Sequence, residues 1–150
     1  MNESKKMSKP PILITKKFEF SASHRYWRDE WSKEKNEEVF GLCTNQYGHG
    51  HNYELHVTVT GEVDPQTGMI INLSLLKKHV NQVLEHFDHK FLNLDTPYFK
   101  DQIPTTENIS RVIFKLIKEN LQDKGNFKLY KLRLYERSDL YVDVWEDSNI

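Results

Sequence analysis

The chain has 150 residues, enough for one domain with a core that folds without covalent staples. Its 21 basic and 22 acidic residues nearly cancel, which argues against a general nucleic-acid binder but leaves room for a local basic pocket. Apolar residues make up 37% of the chain, as in globular proteins, and the single cysteine, Cys43, excludes an internal disulfide framework or a zinc site of several cysteines and fits a reducing, cytoplasmic setting.

Met1 to Pro11 is polar and Lys-rich, without the apolar segment of a secretory signal, and no later stretch is long enough to cross a membrane. It reads as a disordered tail before a single domain over 12–150, with Met7 as an alternative start. From Ile12 to His24 the even positions are Ile, Ile, Lys, Phe, Phe, Ala and His, the alternation of a half-buried strand. Residues 25–48 hold Trp27 and Trp31 with no lasting period and read as a long loop, of the kind that often carries function. A second alternation puts Tyr53, Leu55, Val57 and Val59 on one face. Asp64-Pro65 and Gly68 mark a turn. A helix is predicted from Asn72, with Leu73, Leu76, Val80, Val83, Leu84 and Phe87 on one stripe. Residues 88–104 are irregular. Thr105 is a plausible cap for a second helix with the stripe Ile109, Val112, Ile113, Leu116, Ile117 and Leu121, ended by Gly125. Two strands close the chain, one with Tyr130, Leu132 and Leu134 on a face and one with Val142 and Val144. Strands at both ends and helices between them predict an α+β fold, ββααββ: a four-stranded antiparallel sheet with two helices on one face.

Side chains two apart on a strand point the same way. His49 and His51 share the phase of Tyr53 to Val59, and His24 shares the phase of Phe18, Phe20 and Ala22. Paired antiparallel with those ends close, the two strands bring three imidazoles together. Three neutral imidazoles suit zinc and leave a fourth position open for water or substrate. A His-x-His alone is weak evidence for a metal and could be a flexible turn; the in-phase His24 on a second strand favours the metal. Other groups are less decisive. Cys43 is a candidate thiolate if a nearby cation lowers its pKa, or else a small buried residue. Asp88-His89 is a candidate proton-transfer pair, or a histidine at a helix end. Glu136 ends an apolar row and could anchor a ligand through two parallel N–H bonds, or be a solvated strand end. Thr105 and Thr106 look first like a helix start, whose free N–H groups also suit an anion or polar ligand. His56, His79 and His86 have no partner pattern.

Phe20-Ser-Ala-Ser-His24, Cys43 with five residues before His49, and Gly48-His-Gly-His-Asn-Tyr53 resemble the 6-pyruvoyl-tetrahydropterin synthase family. So do the segment Gly61 to Met69, Asn72-Leu73, Asp88-His89, Thr105-Thr-Glu-Asn108 and Tyr135-Glu136. The similarity runs from about Ile12 to Trp145, with several motifs in order. It implies a tunnelling fold whose sheets join across three subunits into a barrel. Two such trimers form a hexamer with active sites between subunits. It implies that His24, His49 and His51 bind Zn2+, that Cys43 is the proton-abstracting base, and that Asp88 with His89 forms an acid–base relay. Glu136 would grip the pterin ring, with Thr105 and Thr106 nearby. The implied substrate is 7,8-dihydroneopterin triphosphate, rearranged internally with loss of triphosphate and without nicotinamide or flavin.

Within the family, 6-carboxy-tetrahydropterin synthases use the same substrate, release acetaldehyde and serve deazapurine (queuosine) synthesis. They commonly have three residues between the cysteine and the first histidine. Five residues here, and the long loop before Cys43, resemble the pyruvoyl enzymes. The rival of another class is a non-catalytic zinc- or pterin-binding module, which the joint presence of Cys43, Asp88 and His89 argues against.

Overall fold

A computed structural model describes residues 9–146. Met7 and most of the expected tail lie outside the described residues, and Lys9 to Ile12 form no regular element. The elements are β1 (Leu13–His24), α1 (Lys33–Phe40), a 3₁₀ turn (Gly41–Thr44), β2 (His49–Gly61), α2 (Leu73–Leu84), β3 (Lys90–Phe91), α3 (Leu92–Asp95), α4 (Thr106–Leu121), β4 (Phe127–Arg137) and β5 (Leu140–Trp145). The fold is α+β. The four long strands are antiparallel, and the two-residue β3 adds a parallel edge, giving the order β3-β1-β2-β4-β5.

The alternations in β1 and β2 do what the period predicts. Phe18, Phe20, Ala22 and His24 turn inward from β1, and Tyr53, Leu55, Val57 and Val59 from β2. With Leu132 and Leu134 of β4 they meet Leu76 and Val80 of α2 and Ile109, Ile113 and Ile117 of α4 in one core. Leu55 and Val57 are fully buried. Truncating a buried aliphatic of this kind to alanine costs about 2–5 kcal/mol. The other face of the sheet is polar. There the Thr15 and Thr58 hydroxyls lie 2.8 Å apart, His56 Nε2 meets Glu54 Oε1 at 2.8 Å, and Arg133 grips Asp143 through two bonds of 2.8 and 3.0 Å.

Both main helices start on side-chain caps. Asn72 accepts from the Ser74 N–H at 2.9 Å, and Thr105 from the Asn108 N–H at 3.2 Å. Five expectations change. The loop 25–48 contains α1 and a 3₁₀ turn: Ser32 caps α1, and Asn36, fully buried, binds the carbonyls of Arg28, Trp31 and Ser32. An eight-residue helix around one buried amide leaves no apolar stripe to read. Tyr130 faces outward and Leu129 takes its inward place, because a bulge opposite Thr58 and Val59 shifts the phase of β4. Leu73, in the first turn of α2, is exposed, and Ile71 just before it is buried. α4 ends at Leu121, not at Gly125; Asp123 is the residue that turns left-handed, at φ 60°. The irregular segment 88–104 also yields β3 and α3. No helix among the described residues is long and apolar enough to cross a membrane.

Candidate metal centre and substrate pocket

The register of the β1–β2 pair builds the centre. His24 lies directly opposite His49, and His51 opposite Ala22, all on the inward face. Cross-strand neighbours of this kind have side chains within reach of each other. The ring centroids are 4.7 Å apart for His24–His49, 5.2 Å for His24–His51 and 5.0 Å for His49–His51. One nitrogen from each ring lies within 4.8 Å of the others. Gly48 permits the approach: its φ is +73°, and a Cβ there would stand 2.8 Å from the His24 carbonyl oxygen.

His24 is fully buried, and its Nδ1 lies 2.8 Å from the Pro104 carbonyl oxygen. A carbonyl only accepts, so Nδ1 carries the proton and Nε2 keeps its lone pair. That lone pair points toward His49 Nε2, 3.1 Å away. The Tyr53 hydroxyl sits 3.2 Å from the same Nδ1, behind the ring. Burial lowers the His24 pKa from 6.5 to about 4; the Pro104 carbonyl opposes this, and His49 and His51 add to it. Burial likewise lowers His51, against the pull of Glu136. Both imidazoles are therefore neutral near pH 7, as metal ligation requires. His51 Nε2 is buried without a hydrogen bond, with Glu136 Oε1 3.4 Å away. An orphaned, neutral ring nitrogen among two others fits a cation. Nitrogens about 2.0–2.1 Å from a tetrahedral zinc stand roughly 3.4 Å apart, close to the spacing seen between His24 and His49.

Glu136 reaches the cluster from β4, at the point where the β4–β5 register shifts between Tyr135 and Arg137. Its second oxygen accepts from the hydroxyl of Thr106, which is buried in the first turn of α4. Thr106 therefore orients the carboxylate, while Thr105 spends its hydroxyl on the helix cap. Cys43 sits half-buried in the 3₁₀ turn, and its carbonyl accepts from the Tyr26 N–H at 2.8 Å. The Tyr26 ring packs on His24, 4.9 Å between centroids. Burial and the field of Glu136 push the Cys43 thiol up in the chain alone, whereas a cation bound nearby would pull it down.

Asp88 and His89 touch each other, His89 Nδ1 lying 3.0 Å from Asp88 Oδ1. The Ser21 N–H donates to Asp88 Oδ1 at 2.8 Å and is the main reason the Asp88 carboxyl lies below its usual range. His89, at φ 59°, donates its N–H to the Ser21 carbonyl. The pair thus sits on the outer edge of β1, four and five residues past the end of α2, where the Asp88 N–H still donates to the Leu84 carbonyl at 2.8 Å. His89 borders a cavity of about 300 Å³ with Ser21, Ser23, Asn52 and Lys90 of the sheet's polar face, and His51 also lines it. The chain brings His24, His49, His51, Glu136 and Thr106 together, with Cys43 near enough to feel the Glu136 charge. Among the described residues no hydrogen bond or ion pair joins Asp88 or His89 to that cluster; both are tied to Ser21 of β1. Tyr53 and Pro104 were not singled out by sequence. Tyr53 was legible as the next inward residue after His51, whereas a backbone carbonyl such as that of Pro104 leaves no signal.

Of the other histidines, His56 pairs with Glu54 on the polar face, His86 is exposed, and His79 is buried with Nδ1 unpaired.

Comparison with known proteins agrees with this geometry. The model of the family "6-pyruvoyl tetrahydropterin synthase" matches residues 13–147. The chain is 44% identical over 131 residues to the human 6-pyruvoyl tetrahydrobiopterin synthase, covering 86% of this chain and 88% of that protein. The solved structure of Caenorhabditis elegans 6-pyruvoyl tetrahydropterin synthase superposes with a TM-score of 0.85 at 35% identity, over 92% of this chain and 97% of that one. A putative 6-carboxy-5,6,7,8-tetrahydropterin synthase of Archaeoglobus fulgidus is 34% identical over 96 residues, 64% of this chain and 74% of that protein. The inward histidine triad, the carboxylate beside it and these matches together make the chain a member of the 6-pyruvoyl tetrahydropterin synthase family.

Proposed function

We propose that the protein is a lyase that converts 7,8-dihydroneopterin triphosphate to 6-pyruvoyl-tetrahydropterin with loss of triphosphate. The carrying observation is the buried, unpaired His51 Nε2 within one cluster of three imidazoles, 3.4 Å from the Glu136 carboxylate. His24, His49 and His51 would hold Zn2+, which when bound polarises the substrate's side-chain oxygens as a Lewis acid. Glu136, oriented by Thr106, accepts the amino and ring N–H groups of the pterin as parallel donors. Cys43 takes the proton from the side-chain carbon next to those oxygens, and Asp88 with His89 relays protons. Thr105 borders the pterin at the start of α4.

We assign the active assembly as a hexamer of two trimers with sites between subunits. Two features support this. The polar-face edge position of Asp88 and His89 suits them to a neighbour's cluster rather than their own. The open edge at β5 exposes Tyr141 and Trp145, and an unpaired edge invites another strand. We take 12–150 as the single catalytic domain and the cytoplasm as its setting, on the lone free cysteine.

The five residues between Cys43 and His49, and the greater extent of the match to pyruvoyl than to carboxy synthases, favour the pyruvoyl product. Mass spectrometry of the reaction with dihydroneopterin triphosphate tests it. 6-Pyruvoyl-tetrahydropterin and triphosphate are expected. Acetaldehyde with a carboxylated pterin would assign the other synthase. Stoichiometric zinc with no triphosphate release would make the protein a binding module.

A further inference from the structure

The chain leaves β1 at His24 and returns at Cys43, and the ties between these points run through two consecutive residues. The Tyr26 N–H donates to the Cys43 carbonyl at 2.8 Å. Arg25 Nε donates to the next carbonyl, that of Thr44, at 2.9 Å. The Arg25 guanidinium also lies over the Trp27 ring, 4.2 Å from its centroid, which fixes the plane of the fork. Arg25 is itself clamped. Asn93, in α3, accepts its backbone N–H and donates to its carbonyl, each at 2.8 Å. Among the described residues the other hydrogen bonds of the 3₁₀ turn are local: Thr44 Oγ1 to the Gly41 carbonyl at 2.7 Å, Asn45 N–H to the Leu42 carbonyl at 3.3 Å and Gly41 N–H to the Glu37 carbonyl. A four-residue 3₁₀ turn is a weak structure by itself. Its place relative to the imidazoles is therefore set from outside, by residues 25 and 26.

We propose that Arg25 is a positioning residue, locked by Asn93, that fixes the Cys43 thiol relative to the three imidazoles. The assignment rests on the reading of Cys43 as the base and extends it to the residue that aims it. A proton taken from carbon demands a close, aligned approach, and a displacement of about 1 Å in such a site costs on the order of 10²-fold in rate. Its Nε is committed to Thr44 and its face to Trp27, so the side chain acts on the turn that carries Cys43.

The test is Arg25→Met, which keeps a long apolar stem and removes the donor. Zinc content, kcat, KM and the rate of Cys43 alkylation by iodoacetamide are measured on the whole assembled protein. The expected pattern is unchanged zinc, kcat lower by about 10–100-fold, KM little changed, and a faster-reacting thiol because the half-buried turn is released. Asn93→Asp keeps the acceptor for the Arg25 N–H and loses the donor to its carbonyl. It should give the same pattern more weakly, and it stands as the test if Arg25→Met does not fold. Alkylation and kcat at the parent's values would overturn the proposal, as would zinc lost in step with activity. Cys43→Ala separates the two readings. If it keeps its turnover, Cys43 is not the base, while a changed alkylation rate in Arg25→Met still supports the positioning role.

Discussion

Acid should destabilise the metal-free protein through its buried imidazoles, and for His24 the size of the effect follows from its burial. His24 has its pKa lowered from 6.5 to about 4, first by burial. Above pH 6.5 both folded and unfolded chains carry it neutral, so it contributes no pH dependence. Between pH 6.5 and about 4 the unfolded chain takes up a proton that the folded chain refuses. Stability is therefore lost as pH falls through that window and levels off below it. At about 1.36 kcal/mol for each pKa unit, the whole loss is roughly 3 kcal/mol, a large part of the 5–15 kcal/mol that holds a domain together. Urea unfolding followed by the fluorescence of Trp27, Trp31 and Trp145 measures it, with chelator present and protein concentration fixed. Carboxylates titrate in the same range, so the informative quantity is a difference. His24→Leu cannot take up the proton in either state, and its stability should fall less steeply with acid than the parent's. Equal slopes in parent and variant between pH 6.5 and 4.5 would refute the argument.

His49→Ala removes one of three ligands and should leave the purified protein with little zinc; full occupancy by metal analysis would count against the ligand set. Thr106→Val preserves shape and removes the donor to Glu136, which should raise KM for the pterin and cost about 1.5–3 kcal/mol of stability, as expected for a hydrogen bond to a charged group. A normal KM would show that the carboxylate needs no such support. Gly48→Ala forces a Cβ to 2.8 Å from the His24 carbonyl at φ +73°, so zinc affinity should fall, together with about 1–3 kcal/mol of stability; chelator competition at the parent's level would show that the strand entry absorbs the strain.

The parts of the site that strands deliver were legible in sequence. A period of two is unambiguous over β1 and β2, and phase alone put His24, His49 and His51 on the inward face. The long stripe of α4 was equally readable, because sixteen residues give several turns of repetition. What failed to show were features that rest on one or two residues. A bulge reversed the phase at Tyr130, although Leu132 and Leu134 kept theirs, and Glu136 stayed on the inward side with them. α1 depends on the buried Asn36 amide, a polar residue that any pattern search discards. The position of Asp88 and His89 was hidden for a different reason: spacing along a chain says nothing about which side of a sheet edge a turn lands on. Cys43 was readable either as a reactive or as an inert thiol, and its surroundings in the single chain favour the neutral form.

The facing of His24 and His49 has a further consequence. The excursion that carries α1 and Cys43 starts and finishes within a single cross-strand couple. Its two anchor points are therefore fixed by the sheet, whatever length or composition lies between them. Insertions or deletions there would alter what approaches the bound molecule without disturbing the imidazoles, so one unchanging cation cradle can host different chemistries as that excursion is rewritten.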